Sequence, residues 1–123
     1  MPTSAYTAAA LSLLLVTLSL NISRLRLAHK VSFGDAGIRE LTAAVRAHGN
    51  SLEQSAVFVP LLYLLEAYSK VDARVVLALG GLFVLTRVVY CAALFTRRLP
   101  IRQLAHAATM VLQLATTLVL LWH

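Results

Sequence analysis

Four runs of apolar residues, separated by polar connections, organise the chain. The first occupies 6–22, the third 75–96 and the fourth 104–122, while the second is unbroken only from Ala56 to Leu65. A helix needs roughly 20 residues, and no fewer than about 17, to cross a bilayer. The second run reaches that length only by recruiting residues from about 47 and ending near 68, which draws Asn50 and Glu53 toward the membrane. The pattern predicts an all-α integral membrane protein, a single domain over 1–123. Its four transmembrane helices, at 6–22, 47–68, 75–96 and 104–122, form an up-down bundle.

The punctuation between the runs agrees. Residues 23–45 form a polar connection carrying Val31-Ser32-Phe33-Gly34-Asp35-Ala36-Gly37, whose glycines and aspartate fit a turn. No basic segment precedes the first run; Arg24, Arg26 and Lys30 follow it, which predicts a retained helix rather than a cleaved signal peptide. Gly80-Gly81 in the third run predicts a close helix approach, because small residues let backbones come together in lipid. Pro60 falls inside the second helix, where it predicts a kink. Trp122 falls where an interfacial aromatic belongs.

Composition reinforces the bilayer reading. Hydrophobic residues make up 59% of the 123, with mean hydropathy +0.79, whereas soluble domains sit nearer 45–50%. The net charge of +6 does not indicate nucleic acid, because no polar face exists to carry a basic patch. The basic residues instead collect in alternate connections. Arg24, Arg26, Lys30, Arg39 and Arg46 in the first and Arg97, Arg98 and Arg102 in the third stand against Lys70 and Arg74 in the second. By the positive-inside bias both termini face away from the cytoplasm. Cys91 is the sole cysteine and has no intramolecular disulfide partner.

Two ionisable residues fall inside apolar runs, Glu53 and Arg87. Such groups are costly in hydrocarbon and face a bundle interior, a cavity or a partner. Arg46, Asn50 and Glu53 stand at i, i+4 and i+7, on one helical face, as do Arg87, Tyr90 and Leu94 at i, i+3 and i+7. Glu53 lies roughly 10 Å along its helix from Arg46, and Arg87 roughly 15 Å from Arg97, so a Glu53–Arg87 contact is geometrically open. That pair would glue two helices. Yet Arg46, His48, Asn50, Tyr90 and Arg102 crowd the same end, more donors than one carboxylate needs. The density points to a site for an anionic, hydrogen-bonding ligand reached from the cytoplasm. His48, beside Gly49, is either a ligand contact or an interfacial residue. His29, His48, His106 and His123 show no metal spacing, and neither a phosphate loop nor a nucleophile–base arrangement is present.

The stretch Arg46-Ala47-His48-Gly49-Asn50-Ser51-Leu52-Glu53-Gln54 resembles the signature of the MAPEG family, membrane-associated proteins in eicosanoid and glutathione metabolism. Val31-Ser32-Phe33-Gly34-Asp35 is similar to the connection of bacterial members, Arg87-Val88-Val89-Tyr90 to the family's Arg-x-x-Tyr in the third helix, and Leu99-Pro100-Ile101-Arg102 to the start of the fourth. The resemblance covers nearly the whole chain. Three positions depart from it. Leu94 stands where many members carry a second tyrosine, Arg102 falls one residue beyond the usual spacing, and a proline often found three residues after the glutamate is replaced by Pro60, seven after.

The resemblance implies a homotrimer of four-helix protomers in a bacterial inner membrane, binding glutathione as co-substrate between subunits. Arg46, Asn50 and Glu53 would hold its backbone, carboxylates and amine, with His48 as a polar contact and Arg24 or Arg26 contributing from the first helix. Arg87 and Tyr90 would supply the facing wall. Arg102, with Arg98 as the alternative, would stabilise the thiolate, since a nearby cation lowers a thiol pKa. The implied activity is a glutathione transferase or peroxidase acting on apolar electrophiles or lipid hydroperoxides that arrive from the bilayer. Two other classes remain open: a non-catalytic lipid-binding or scaffold member, and a small multidrug exporter. The exporter is disfavoured because 6–22 contains no acidic residue of the kind such transporters carry in their first helix.

Overall fold

The computed structural model describes residues 1–123 and consists of four α-helices: α1 (Ser4–His29), α2 (Arg39–Tyr68), α3 (Ala73–Phe95) and α4 (Leu99–Trp122). Three of them, α1, α3 and α4, are long and apolar enough to cross a membrane. The longest, α2, spans 30 residues, about 45 Å of helix, but Asn50, Glu53, Gln54 and Glu66 dilute its apolar stretch.

The helices extend past the apolar runs. α1 continues to His29 rather than 22, and α2 starts at Arg39 rather than 47. Bilayer thickness sets a minimum length for a spanning helix, not its end. Beyond the apolar run one face still has something to bury: Leu25 of α1 packs with Leu41 and Ala44 of α2, all 3% exposed or less. The connection shrinks to 30–38. Lys30 turns left-handed to close α1, and Val31 N donates to Arg26 O at 3.0 Å. At the other end of α3, Asp72 caps the helix by accepting from Arg74 N at 2.7 Å.

α2 and α3 form the centre of the bundle. α1 and α4 each pack on both of them and do not meet one another. One core layer joins Leu11, Phe58, Leu62, Leu65, Val76 and Phe83, with the Phe58 and Phe83 rings stacked at 3.8 Å. A second joins Leu18, Ala47, Tyr90, Cys91, Leu94 and Ala105. Outward positions such as Leu13, Leu20, Leu82 and Leu114 are exposed, which suits an apolar solvent.

Of the two adjacent glycines, only Gly80 makes the close approach. A methyl group there would overlap the Thr7 side chain of α1, whereas one at Gly81 would meet open space. α1 has no capping side chain of its own. Its first amides are taken by a residue far along the chain: Thr3 N and Ser4 N both donate to the Glu66 carboxylate of α2, the latter at 2.7 Å. The acid thus meets the positive end of the α1 dipole.

Candidate functional site

A cavity of about 1090 Å³ opens at the end of the bundle where α1 and α3 finish and α2 and α4 begin. Five arginines line it, Arg24, Arg39, Arg46, Arg97 and Arg102, against one acid, Glu40. Its apolar wall comes from Leu18, Leu25, Leu94, Phe95 and Leu99. The charge balance selects anions, and guanidinium groups suit carboxylates because their paired N–H donors match two oxygens at once.

Local structure explains how these arginines converge. Arg39 and Arg46 sit on the extension of α2 beyond the apolar run. Arg97 stands in the tight turn from α3 to α4 with φ 58, a left-handed conformation that favours glycine. The turn closes through Arg98 N donating to Ala93 O at 2.9 Å. Arg98 itself, next in sequence, is not among the residues lining the cavity, whereas Arg102 is.

The connection 30–38 reaches the cavity rim at Gly37 and is tied down from both sides. Arg26 does not line the cavity; its Nη1 donates to Gly34 O at 2.7 Å. Asp35 accepts from the Thr42 hydroxyl at 2.6 Å and from Gly37 N at 3.0 Å. The Thr42 hydroxyl, foremost, and the Gly37 amide hold its carboxyl below the usual carboxylate range. Gly37 and Thr42 in turn line the cavity.

Deeper in the bundle lies a second polar group. Arg87 is fully buried. Its Nη1 donates to Asn50 Oδ1 on α2 and its Nη2 to Thr109 Oγ1 on α4 at 2.7 Å, and the guanidinium carbon lies 4.7 Å from the Tyr90 ring centre. Its Nε has no partner. Thr109 also contacts Ala105 O at 2.9 Å and Thr86 Oγ1 at 3.1 Å. The adjacent Cys91 sulfur stands 3.4 Å from Ser51 Oγ.

The candidate residues therefore divide. Arg24, Arg46 and Arg102 meet at the cavity. Asn50, Arg87 and Tyr90 form the interior cluster, with His106 tilted against Tyr90 at 6.4 Å between ring centres. His48 faces outward into a groove of about 460 Å³ between α1 and α2, beside Ser12, Ser19 and Ser55. Glu53 is exposed on the outer surface. The Glu53–Arg87 contact that spacing left open is not made, because the Arg87 guanidinium turns to Asn50 and Thr109 instead. Leu94 is buried and borders the cavity, bringing no hydroxyl there. Sequence reasoning missed Thr109, Arg39, Arg97 as a lining residue, and the Glu66 cap. Arg39 and Arg97 were visible only as loop charges, and an isolated threonine in an apolar helix carries no distinguishing signal.

Comparison with known proteins fits this architecture. The family described as the MAPEG family matches residues 4–122. The Escherichia coli K12 protein described as inner membrane protein YecN is 38% identical over 55 residues, and its counterpart in Escherichia coli O6:H1 matches equally. Each alignment covers 45% of this chain and 42% of the relative. The likeness thus spans less than half of either protein, while the family match runs across all four helices. A membrane bundle of four helices, matched from the first turn of α1 to the last of α4, belongs to the MAPEG family.

Proposed function

We propose that this protein binds glutathione at the arginine-lined cavity and uses it as a transferase or peroxidase toward apolar electrophiles or lipid hydroperoxides. The observation that carries the reading is the chemistry of the cavity wall: five guanidinium groups, a single acid and an apolar side in one space of about 1090 Å³. Glutathione at neutral pH offers two carboxylates and one ammonium, so an excess of arginines with one carboxylate complements it. Arg24, Arg39 and Arg46 suit the carboxylates, and Arg102 favours the thiolate, the nucleophilic form, by its positive charge. The apolar side, from Leu18, Leu25, Leu94, Phe95 and Leu99, accommodates an electrophile arriving from lipid.

The site as a whole needs more than one copy. Glu53 is exposed and His48 faces an outward groove, positions from which both would serve a neighbouring subunit. A homotrimer supplies that neighbour, in a bacterial inner membrane with the arginine-rich end on the cytoplasmic side. One observation favours a second reading, binding without turnover: Leu94 provides no hydroxyl beside the cavity.

Calorimetry with purified protein measures glutathione binding, and conjugation to a chloronitrobenzene electrophile measures turnover. Binding with turnover is expected. Binding alone would favour the non-catalytic member, and no binding would overturn the proposal. Arg102→Ala is expected to reduce turnover more than affinity, whereas Arg98→Ala, away from the cavity, leaves both near wild type.

A further inference from the structure

We propose that Arg87 is a positioning residue: it locks the Asn50 carboxamide so that Asn50 can meet a ligand only as a hydrogen-bond donor. The ligand half rests on the glutathione reading above; the lock itself does not.

The direction of the amide follows from donor–acceptor chemistry. A guanidinium has five N–H donors and no acceptor. The atom of Asn50 that faces Arg87 Nη1 must therefore be Oδ1, as it is. Turning the amide over would set two donors against each other inside a fully buried group, and buried unpaired donors are strongly disfavoured. The guanidinium cannot swing away to relieve the conflict. Its other terminal nitrogen is held by Thr109 Oγ1 at 2.7 Å, and its face lies against the Tyr90 ring. Thr109 is fixed in turn. Accepting from Arg87, it directs its own proton to Ala105 O or to Thr86 Oγ1, and Thr86 donates onward to Phe83 O at 2.7 Å. Whichever of Ala105 O and Thr86 Oγ1 takes its proton, Thr109 remains an acceptor toward Arg87.

Asn50 Nδ2 is left free. It has no partner within the protomer, and it is not among the sealed, unpartnered atoms of the interior. Asn50 shares a face of α2 with Arg46, one turn closer to the cavity. Asn50 does not itself line the cavity; it stands one turn beyond Arg46, which does, as a neutral donor of fixed polarity. It selects a carbonyl or carboxylate oxygen and rejects an ammonium, which must go to an acid such as Glu53 or Glu40.

Two substitutions at one position separate the lock from a purely structural role. Asn50→Asp keeps an oxygen for Arg87 and removes the outward donor; Asn50→Leu removes both. In detergent micelles N50D is expected to melt at or above the wild-type temperature and N50L clearly below it. In calorimetry N50D is expected to weaken glutathione binding roughly tenfold or more, the loss of a hydrogen bond to a charged or carbonyl acceptor. Arg87→Lys, which retains one donor toward Oδ1, is expected to bind glutathione more tightly than Arg87→Met. If N50D melts as low as N50L, there is no lock and the proposal fails. If N50D binds glutathione as tightly as wild type, the donor role fails. Wild-type protein that binds no glutathione, with the melting order intact, would sink the glutathione reading while leaving the lock in place.

Discussion

Replacing Gly80 by alanine puts a methyl group where α3 crosses α1. The nearest atoms to that methyl are the Thr7 hydroxyl, in outright overlap, then Thr7 Cβ at 3.0 Å and Leu62 Cδ2 at 3.2 Å. The hydroxyl can rotate aside and Leu62 can shift at its tip, but Thr7 Cβ is fixed to the α1 backbone, so the two helices must separate by a few tenths of an ångström. Thr7 is 4% exposed and Gly80 is buried, so no solvent-side slack absorbs the change. Overpacking of this kind costs about 1–3 kcal/mol. Alanine regains part of that, since glycine within a helix is disfavoured by roughly 1 kcal/mol in water, and the net expectation is a loss of up to about 2 kcal/mol. Gly81→Ala is the control. It adds the same methyl one residue on, in open space, and should be neutral or stabilising. Denaturant titration of both variants in mixed micelles, followed by far-UV circular dichroism, gives the comparison. Thr7→Ala in the Gly80→Ala background should restore only part of the loss, because it removes the hydroxyl and leaves Cβ. Equal stability of the Gly80→Ala and Gly81→Ala variants would refute the close approach of α1 and α3.

Three further outcomes are expected. Glu66→Ala leaves the Thr3 and Ser4 amides without their acceptor; the cost is about 1 kcal/mol, as for a lost helix cap, and hydrogen exchange should rise in the first turn of α1 alone. Asp35→Asn tests the rim. The folded state holds the Asp35 carboxyl below its usual range through Thr42 and Gly37, so the ionised group stabilises the fold above the ordinary carboxylate pKa, and that contribution disappears as pH falls through the lowered value. Melting curves of wild type and D35N should therefore differ at pH 7 and converge below about pH 4. Arg97→Gly relieves a left-handed residue, gaining roughly 1 kcal/mol in stability, while it removes a cation from the cavity and weakens anion binding; tighter binding in this variant would contradict the placement of Arg97 in the wall.

The sequence carried the number of helices, their order and the end of the bundle at which the arginines gather. Those features depend on one-dimensional quantities: run length against bilayer thickness, and the placement of lysine and arginine between runs. It also set Arg46 and Asn50 on one face, because helical periodicity is a local property. It did not carry the full extent of α1 and α2, since the extra turns exist only because Leu25, Leu41 and Ala44 find each other across two helices. Nor did it carry the partner of Arg87. Spacing allowed Glu53, but a guanidinium on α3 is committed by rotation about the helix axis and by which helix stands opposite, and both brought it to Asn50 and Thr109. The division of the candidate residues between cavity, interior and outer surface has the same origin. Residues sharing a helix and a polar character separate once packing fixes which face turns inward, and no pattern along a single strand of sequence contains that rotation.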